Sequence, residues 1–98
     1  MENIIVIAKI KIKPEFEKEV FNELTKLHKQ THANDSGCIK YDLHKDIEEE
    51  NTYTFIETWE SKEDLKIHEN KSHFKEFLVN IEGKLESVQI NKLEKLSI

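Results

Sequence analysis

Residues 3 to 13 open as a continuous apolar run and finish in strict alternation. Ile4, Val6, Ala8, Ile10 and Ile12 fall on one side of an extended chain, the signature of a strand. Ile5 and Ile7 make the other side apolar as well, so the pattern predicts a sheet covered on both faces at that end. Pro14 stops the strand and suits the first turn of a helix, where an amide hydrogen is not needed. Phe16, Val20, Leu24, Leu27 and Thr31 follow at spacings of four and three. At about 100° per residue they share one helical stripe, with Phe21 and His28 on its shoulder and His32 turned towards solvent. Asn34-Asp35-Ser36-Gly37 ends the helix with turn-forming residues.

Alternation returns over residues 38 to 46, with Ile39, Tyr41 and Leu43 set against Cys38, Lys40, Asp42 and His44. The acidic segment Ile47 to Asn51 reads as a hairpin loop. Residues 52 to 60 are rich in β-branched and aromatic types and form a third strand. Tyr53, Phe55, Glu57 and Trp59 share one of its faces, so a carboxylate interrupts an aromatic row. Ser61-Lys62-Glu63-Asp64 resembles a capping box, and Leu65 and His68 lie on one face of the helix it starts. Phe74, Phe77, Leu78, Ile81 and Leu85 form a second stripe out of phase with Leu65, which predicts a break near Asn70 to Ser72. Gly83 either caps this second piece or sits inside it. Residues 86 to 95 read as a last strand, with Val88 and Ile90 its best apolar positions.

The order βαββαβ with right-handed connections predicts one α+β domain over residues 1–98. It is a ferredoxin-like fold, a four-stranded antiparallel sheet with both helices on one face. The other face must then be covered or remain wet. A 98-residue chain buries only about two-thirds of its unfolded surface, so a second copy on that face is expected.

Composition narrows the function. Hydrophobic residues make up 37% and charged residues 36%, yet the apolar positions are periodic, which argues against disorder. The net charge of −5, with lysines interspersed among glutamates, disfavours nucleic acid as a partner. The longest apolar run, Ile4 to Ala8, is far short of the roughly 20 residues of a membrane helix. Met1-Glu2-Asn3 has no basic leader region, and Cys38 is the only cysteine, so a cytoplasmic protein is expected.

Histidines and one carboxylate are the chemical candidates. His68 shares a face with Leu65 and is read either as a base or as a core histidine bonded to backbone. Glu57, set between Phe55 and Trp59, is a carboxylate whose pKa burial would raise, unless it reaches a lysine or the rim. His28 and His32 have a metal-compatible spacing, but no carboxylate is visibly recruited to them. His68 and His73 are five apart and cannot meet on one helix without a break between them. Cys38 is read as structural.

The blocks Asp35-Ser36-Gly37-Cys38-Ile39-Lys40-Tyr41-Asp42, Phe55-Ile56-Glu57-Thr58-Trp59-Glu60-Ser61 and Leu65-Lys66-Ile67-His68 with Ser72-His73-Phe74 stand in a characteristic order. Together they give Glu-x-Trp, a short helix, then His-x-x-x-x-His-Phe. In this the chain resembles the antibiotic-biosynthesis monooxygenase family, in particular its small quinol-monooxygenase-like members. Asp35 stands where the family more often has glutamate. The resemblance implies a homodimeric α/β barrel with a pocket in each subunit and no metal, flavin or haem. It implies oxidation of a small quinol or phenolic substrate by dioxygen. His68 would then be the base, with Glu57 and Trp59 as its catalytic neighbours, and Tyr41, Phe55, His73, Phe74 and His28 as substrate-binding residues. The haem-degrading branch is disfavoured, since Ala8, His68 and Leu78 stand at its three characteristic positions. A branch that isomerises the phosphorylated autoinducer-2 signal shares the framework. A non-catalytic ligand-binding dimer is the further alternative.

Overall fold

The computed structural model describes residues 3–98. Met1 and Glu2, part of the segment read for a leader, lie outside the described residues. The strands are β1 (Ile4–Ile12), β2 (Cys38–Lys45), β3 (Thr52–Trp59) and β4 (Leu85–Glu94). The helices are α1 (Glu17–Asn34), α2 (Lys62–Glu69) and α3 (Ser72–Ile81), with a single 3₁₀ turn at Pro14–Phe16 leading into α1. The sheet runs β2-β3-β1-β4, and every neighbouring pair is antiparallel. This is the ferredoxin-like α+β fold that the βαββαβ order predicts. No described helix is long and apolar enough to cross a membrane.

The helix-facing side of the sheet is set by the alternation of β1. Ile4, Val6, Ala8, Ile10 and Ile12 are all buried. Register places them opposite Trp59, Glu57, Phe55 and Tyr53 of β3, so the aromatic row with its carboxylate faces the helices. Val20, Leu24, Leu27 and Thr31 of α1 close over that surface. The other side carries Ile5, Ile7, Ile56 and Leu93 in adjacent register, with Ile56 and Leu93 exposed.

Three features of the pattern come out differently. In β2 the register slips between Cys38 and Lys40. This bulge puts Cys38 against the core beside Tyr41 and Leu43 and leaves Ile39 48% exposed, opposite to plain alternation. Leu85 starts β4 and does not belong to the α3 stripe. Val88 and Ile90 are about half exposed although they share the helix-facing side of the sheet with Ala8 and Ile10, because β4 is an edge strand; Leu78 of α3 is also about half exposed.

The break between the second and third helices lies where the phase change puts it. Ser61 caps α2, its Oγ accepting from the Asp64 amide at 3.1 Å. The chain leaves helix at Asn70 and Lys71, where Lys71 is extended, and restarts at Ser72. Gly83 has φ +77 just past α3, a left-handed closing conformation.

Gly37 sets the approach of the α1–β2 turn to α2. Its carbonyl accepts from the Glu60 amide at 2.9 Å, and a Cβ there would collide with the Asp64 side chain. Asp64 is itself held by the Ser61 hydroxyl at 2.8 Å. Gly37→Ala should therefore destabilise the fold by about 1–3 kcal/mol through overpacking, measured by urea unfolding. An unchanged midpoint would show that Asp64 moves aside freely.

Candidate active site

The site begins with where helices start and stop. Leu65 must face the sheet, and His68, one turn later, is carried inward with it to 2% exposure. Asp35 follows the last residue of α1 with extended backbone, its amide still donating to the Thr31 carbonyl at 3.0 Å. The turn at Gly37 presses this residue against α2. The helix break then lets α3 start in a new direction, and its first turn brings His73 back to the same point.

Asp35 is the meeting place. Its side chain is 2% exposed. Oδ2 accepts a short hydrogen bond from His68 Nδ1 and a longer one, 3.4 Å, from His73 Nε2. Lys71 Nζ stands 3.5 Å from Oδ1, and Oδ1 has no hydrogen-bond partner of its own. A carboxylate oxygen facing a neutral imidazole nitrogen must accept, so the proton of His68 sits on Nδ1 and its lone pair on Nε2. Burial holds His68 below the ordinary histidine range, outweighing the opposite pull of Asp35. The ring is therefore neutral at neutral pH. It packs against Trp59 at 4.6 Å, Phe74 at 4.8 Å and Tyr41 at 5.4 Å between ring centroids.

Asp35, His68 and His73 have the composition of a metal triad, with donor atoms within 4.8 Å of one another. Their atoms already hydrogen-bond to each other.

His68 opens onto a cavity of about 180 Å³ between the sheet and the helices. Val6, Ala8, Ile10, Tyr41, Phe55, Phe74 and Leu78 make an apolar lining, and Glu57 is a polar group inside it. Two larger depressions, about 580 and 420 Å³, lie on the outer surface around α2 and contain neither His68 nor Glu57. The smaller cavity is the one lined by buried ionisable groups, His68 and Glu57. Glu57 is 5% exposed and accepts from Trp59 Nε1 at 2.9 Å. Burial pushes its pKa up to about 7 against the opposing Trp59 hydrogen bond. Lys92 and Glu69, paired at 3.0 Å, stand at the cavity's edge.

Of the residues the sequence singles out, His68, Glu57, Tyr41, Phe55 and Phe74 line the cavity. Trp59 does not. It is fully buried behind His68, holding the ring from one side and Glu57 from the other. His73 is not on the lining either; it sits behind Asp35 and borders a surface crevice with Gln30 and Glu76. His28 is away from the cavity on α1, with ring contact to His32. Glu57 holds the indole of Trp59, and the carboxylate that orients His68 is Asp35. Asp35 and Lys71 are the site residues that spacing alone missed. The only sequence signal for Asp35 is its place in the Asp-Ser-Gly-Cys block.

The fold and cavity define a ferredoxin-like α+β domain that encloses a small apolar space beside an oriented histidine. The chain belongs to the antibiotic biosynthesis monooxygenase family, whose model matches residues 3–79. It is 35% identical over 75 residues to "Putative monooxygenase YcnE" of Bacillus subtilis (strain 168), covering 76% of this chain and 78% of that protein. The crystal structure of PA3566 from Pseudomonas aeruginosa superposes with a TM-score of 0.91 at 30% identity, covering 99% of this chain and 97% of that one. A conserved protein from Methanosarcina mazei Go1 gives 0.89 at 31% identity, covering 98% and 95%.

Glu57 makes stability depend on pH. Its folded pKa of about 7 lies above the unfolded 4.5, so its contribution is fully present below pH 4.5 and is lost as pH rises through 7. Glu57→Gln removes that loss. Between pH 5 and pH 8 the variant should gain on the wild type by an amount of order 3 kcal/mol in urea unfolding. A constant difference at the two pH values would show that Glu57 titrates as an ordinary carboxylate.

Proposed function

We propose that the protein is a cofactor-independent monooxygenase that oxidises a small quinol or phenol with dioxygen. The observation that carries this reading is His68, buried, neutral and oriented by Asp35, beside an apolar cavity of ring size. Apolar cavities of about 150 Å³ take up benzene, so about 180 Å³ suits one substituted aromatic ring. The lone pair on His68 Nε2 takes the hydroxyl proton of the substrate. Asp35 stabilises the imidazolium, and His73 on the same carboxylate offers that charge a second site. The deprotonated ring then passes an electron to dioxygen. For a quinol, one oxygen atom enters the ring and the other leaves as water, giving a hydroxyquinone. The substrate supplies all four electrons, so no external reductant is required. The protein's part is to orient, desolvate and move protons.

A homodimer in the cytoplasm belongs to this reading. The uncovered sheet face with Ile5, Ile7, Ile56 and Leu93 supports the dimer, and Cys38 as the only cysteine supports the compartment.

Replacing His68 by Ala should lower kcat/KM for an active quinol by about 10²- to 10⁴-fold. Asp35→Asn should lower it too, by releasing the tautomer, while Lys29→Ala on exposed α1 should leave it unchanged. The wild-type rate should fall with pH only below the usual histidine range, since burial lowers the His68 pKa. Oxygen-18 from labelled dioxygen should appear in the product. Turnover that persists without dioxygen would replace the oxygenase by an isomerase, and wild-type rates in His68→Ala would make this histidine structural.

A further inference from the structure

A second cluster of ligand-type side chains lies on the outside of the fold, apart from the cavity. His28 and His32 are one turn apart on α1, with ring centroids 4.5 Å apart. The spacing alone offers two imidazoles and no carboxylate. The packing of α1 along β2 supplies one, Asp42, so that a donor atom of each residue lies within 4.8 Å of the other two. A tetrahedral ion with bonds of about 2.1 Å holds its donors about 3.4 Å apart. Rotation of these partly or fully exposed side chains can take up the difference.

His32 is already braced for ligation. Its Nε2 lies 3.0 Å from the Tyr41 carbonyl oxygen. A carbonyl can only accept, so Nε2 carries the proton and Nδ1 keeps the lone pair. Metal-bound imidazoles almost always donate their other N–H in this way. Among the described residues no lysine stands within ion-pair distance of Asp42, so its carboxylate is not committed elsewhere.

We propose that His28, His32 and Asp42 form a surface site for a divalent transition-metal ion of the zinc, copper or nickel class, completed by water. Two imidazoles and one carboxylate suit such ions better than magnesium or calcium, which prefer all-oxygen sites. Because its ligands come from two elements, the ion ties edge strand β2 to α1, next to the backbone of cavity residue Tyr41.

The test is calorimetric titration of the metal-free protein with Zn²⁺ alone, and with Mg²⁺ at the same concentration. One equivalent of Zn²⁺ should bind, and Mg²⁺ should not. His28→Ala and His32→Ala should each weaken Zn²⁺ by about tenfold or more, and Asp42→Asn should weaken it as well. His73→Ala should keep the stoichiometry. Zinc should raise the thermal midpoint of the wild type and not that of the His28→Ala/His32→Ala double variant. Absence of zinc binding by the wild type, or its retention by the double variant, would overturn the site. Its loss in His73→Ala would do so too, placing the ion in the buried Asp35 cluster.

Discussion

The buried carboxylate of Asp35 is the constraint from which the rest of the site follows. Taking a carboxylate out of water costs several kcal/mol unless charge and hydrogen bonds are returned to it. Here they come from three places along the chain: His68 at the end of α2, Lys71 in the break, and His73 at the start of α3. Each of these needs the helix to be interrupted. An unbroken helix would separate His68 and His73 by about 140° and leave one of them outside. The break at Asn70 and Lys71 is thus a requirement of the site. Gly37, by letting the turn lie against Asp64, is what brings the carboxylate within reach.

The two carboxylates near His68 differ because their surroundings differ. Asp35 is ringed by donors and faces away from the cavity. Glu57 looks into the apolar space, with one indole N–H as its partner, and its pKa rises to about 7. Asp35 orients the neutral imidazole, while burial lifts the Glu57 carboxyl to about 7. Trp59 connects the two halves, since its ring packs on His68 while its N–H holds Glu57.

Much of this is legible in the chain, and the part that is not has a common cause. Period-two and period-3.6 patterns report which face of one element is apolar, so β1, α1, the Tyr53–Trp59 row and the helix break are all readable. They say nothing of which elements meet. The contacts of Asp35 with His68 and His73 span 33 and 38 residues, and that of Asp42 with the α1 histidines depends on how α1 lies on β2. The bulge after Cys38 has no marker in a sequence of ordinary strand formers, and it reverses the expected faces of Cys38 and Ile39. Trp59 is correctly placed on its face. Depth is not encoded by periodicity, and the larger ring lies behind His68 and not in the cavity.

The walls of the cavity are unequally packed. Tyr41 and Phe55 are 1% and 2% exposed and belong to the core, so changing them disturbs the fold as well as the cavity. On the opposite side Leu78, Val88 and Ile90 line the cavity while about half exposed. Side chains there can change size at small cost to packing, because little is stacked behind them. The buried pair at His68 and the outer wall of the cavity therefore come from different parts of the chain. The Asp35–His68 pair is buried in the interior, and the outer wall is formed by α3 and the edge strand β4. Such a division leaves the cavity's shape open to change in a weakly packed wall without disturbing the buried pair.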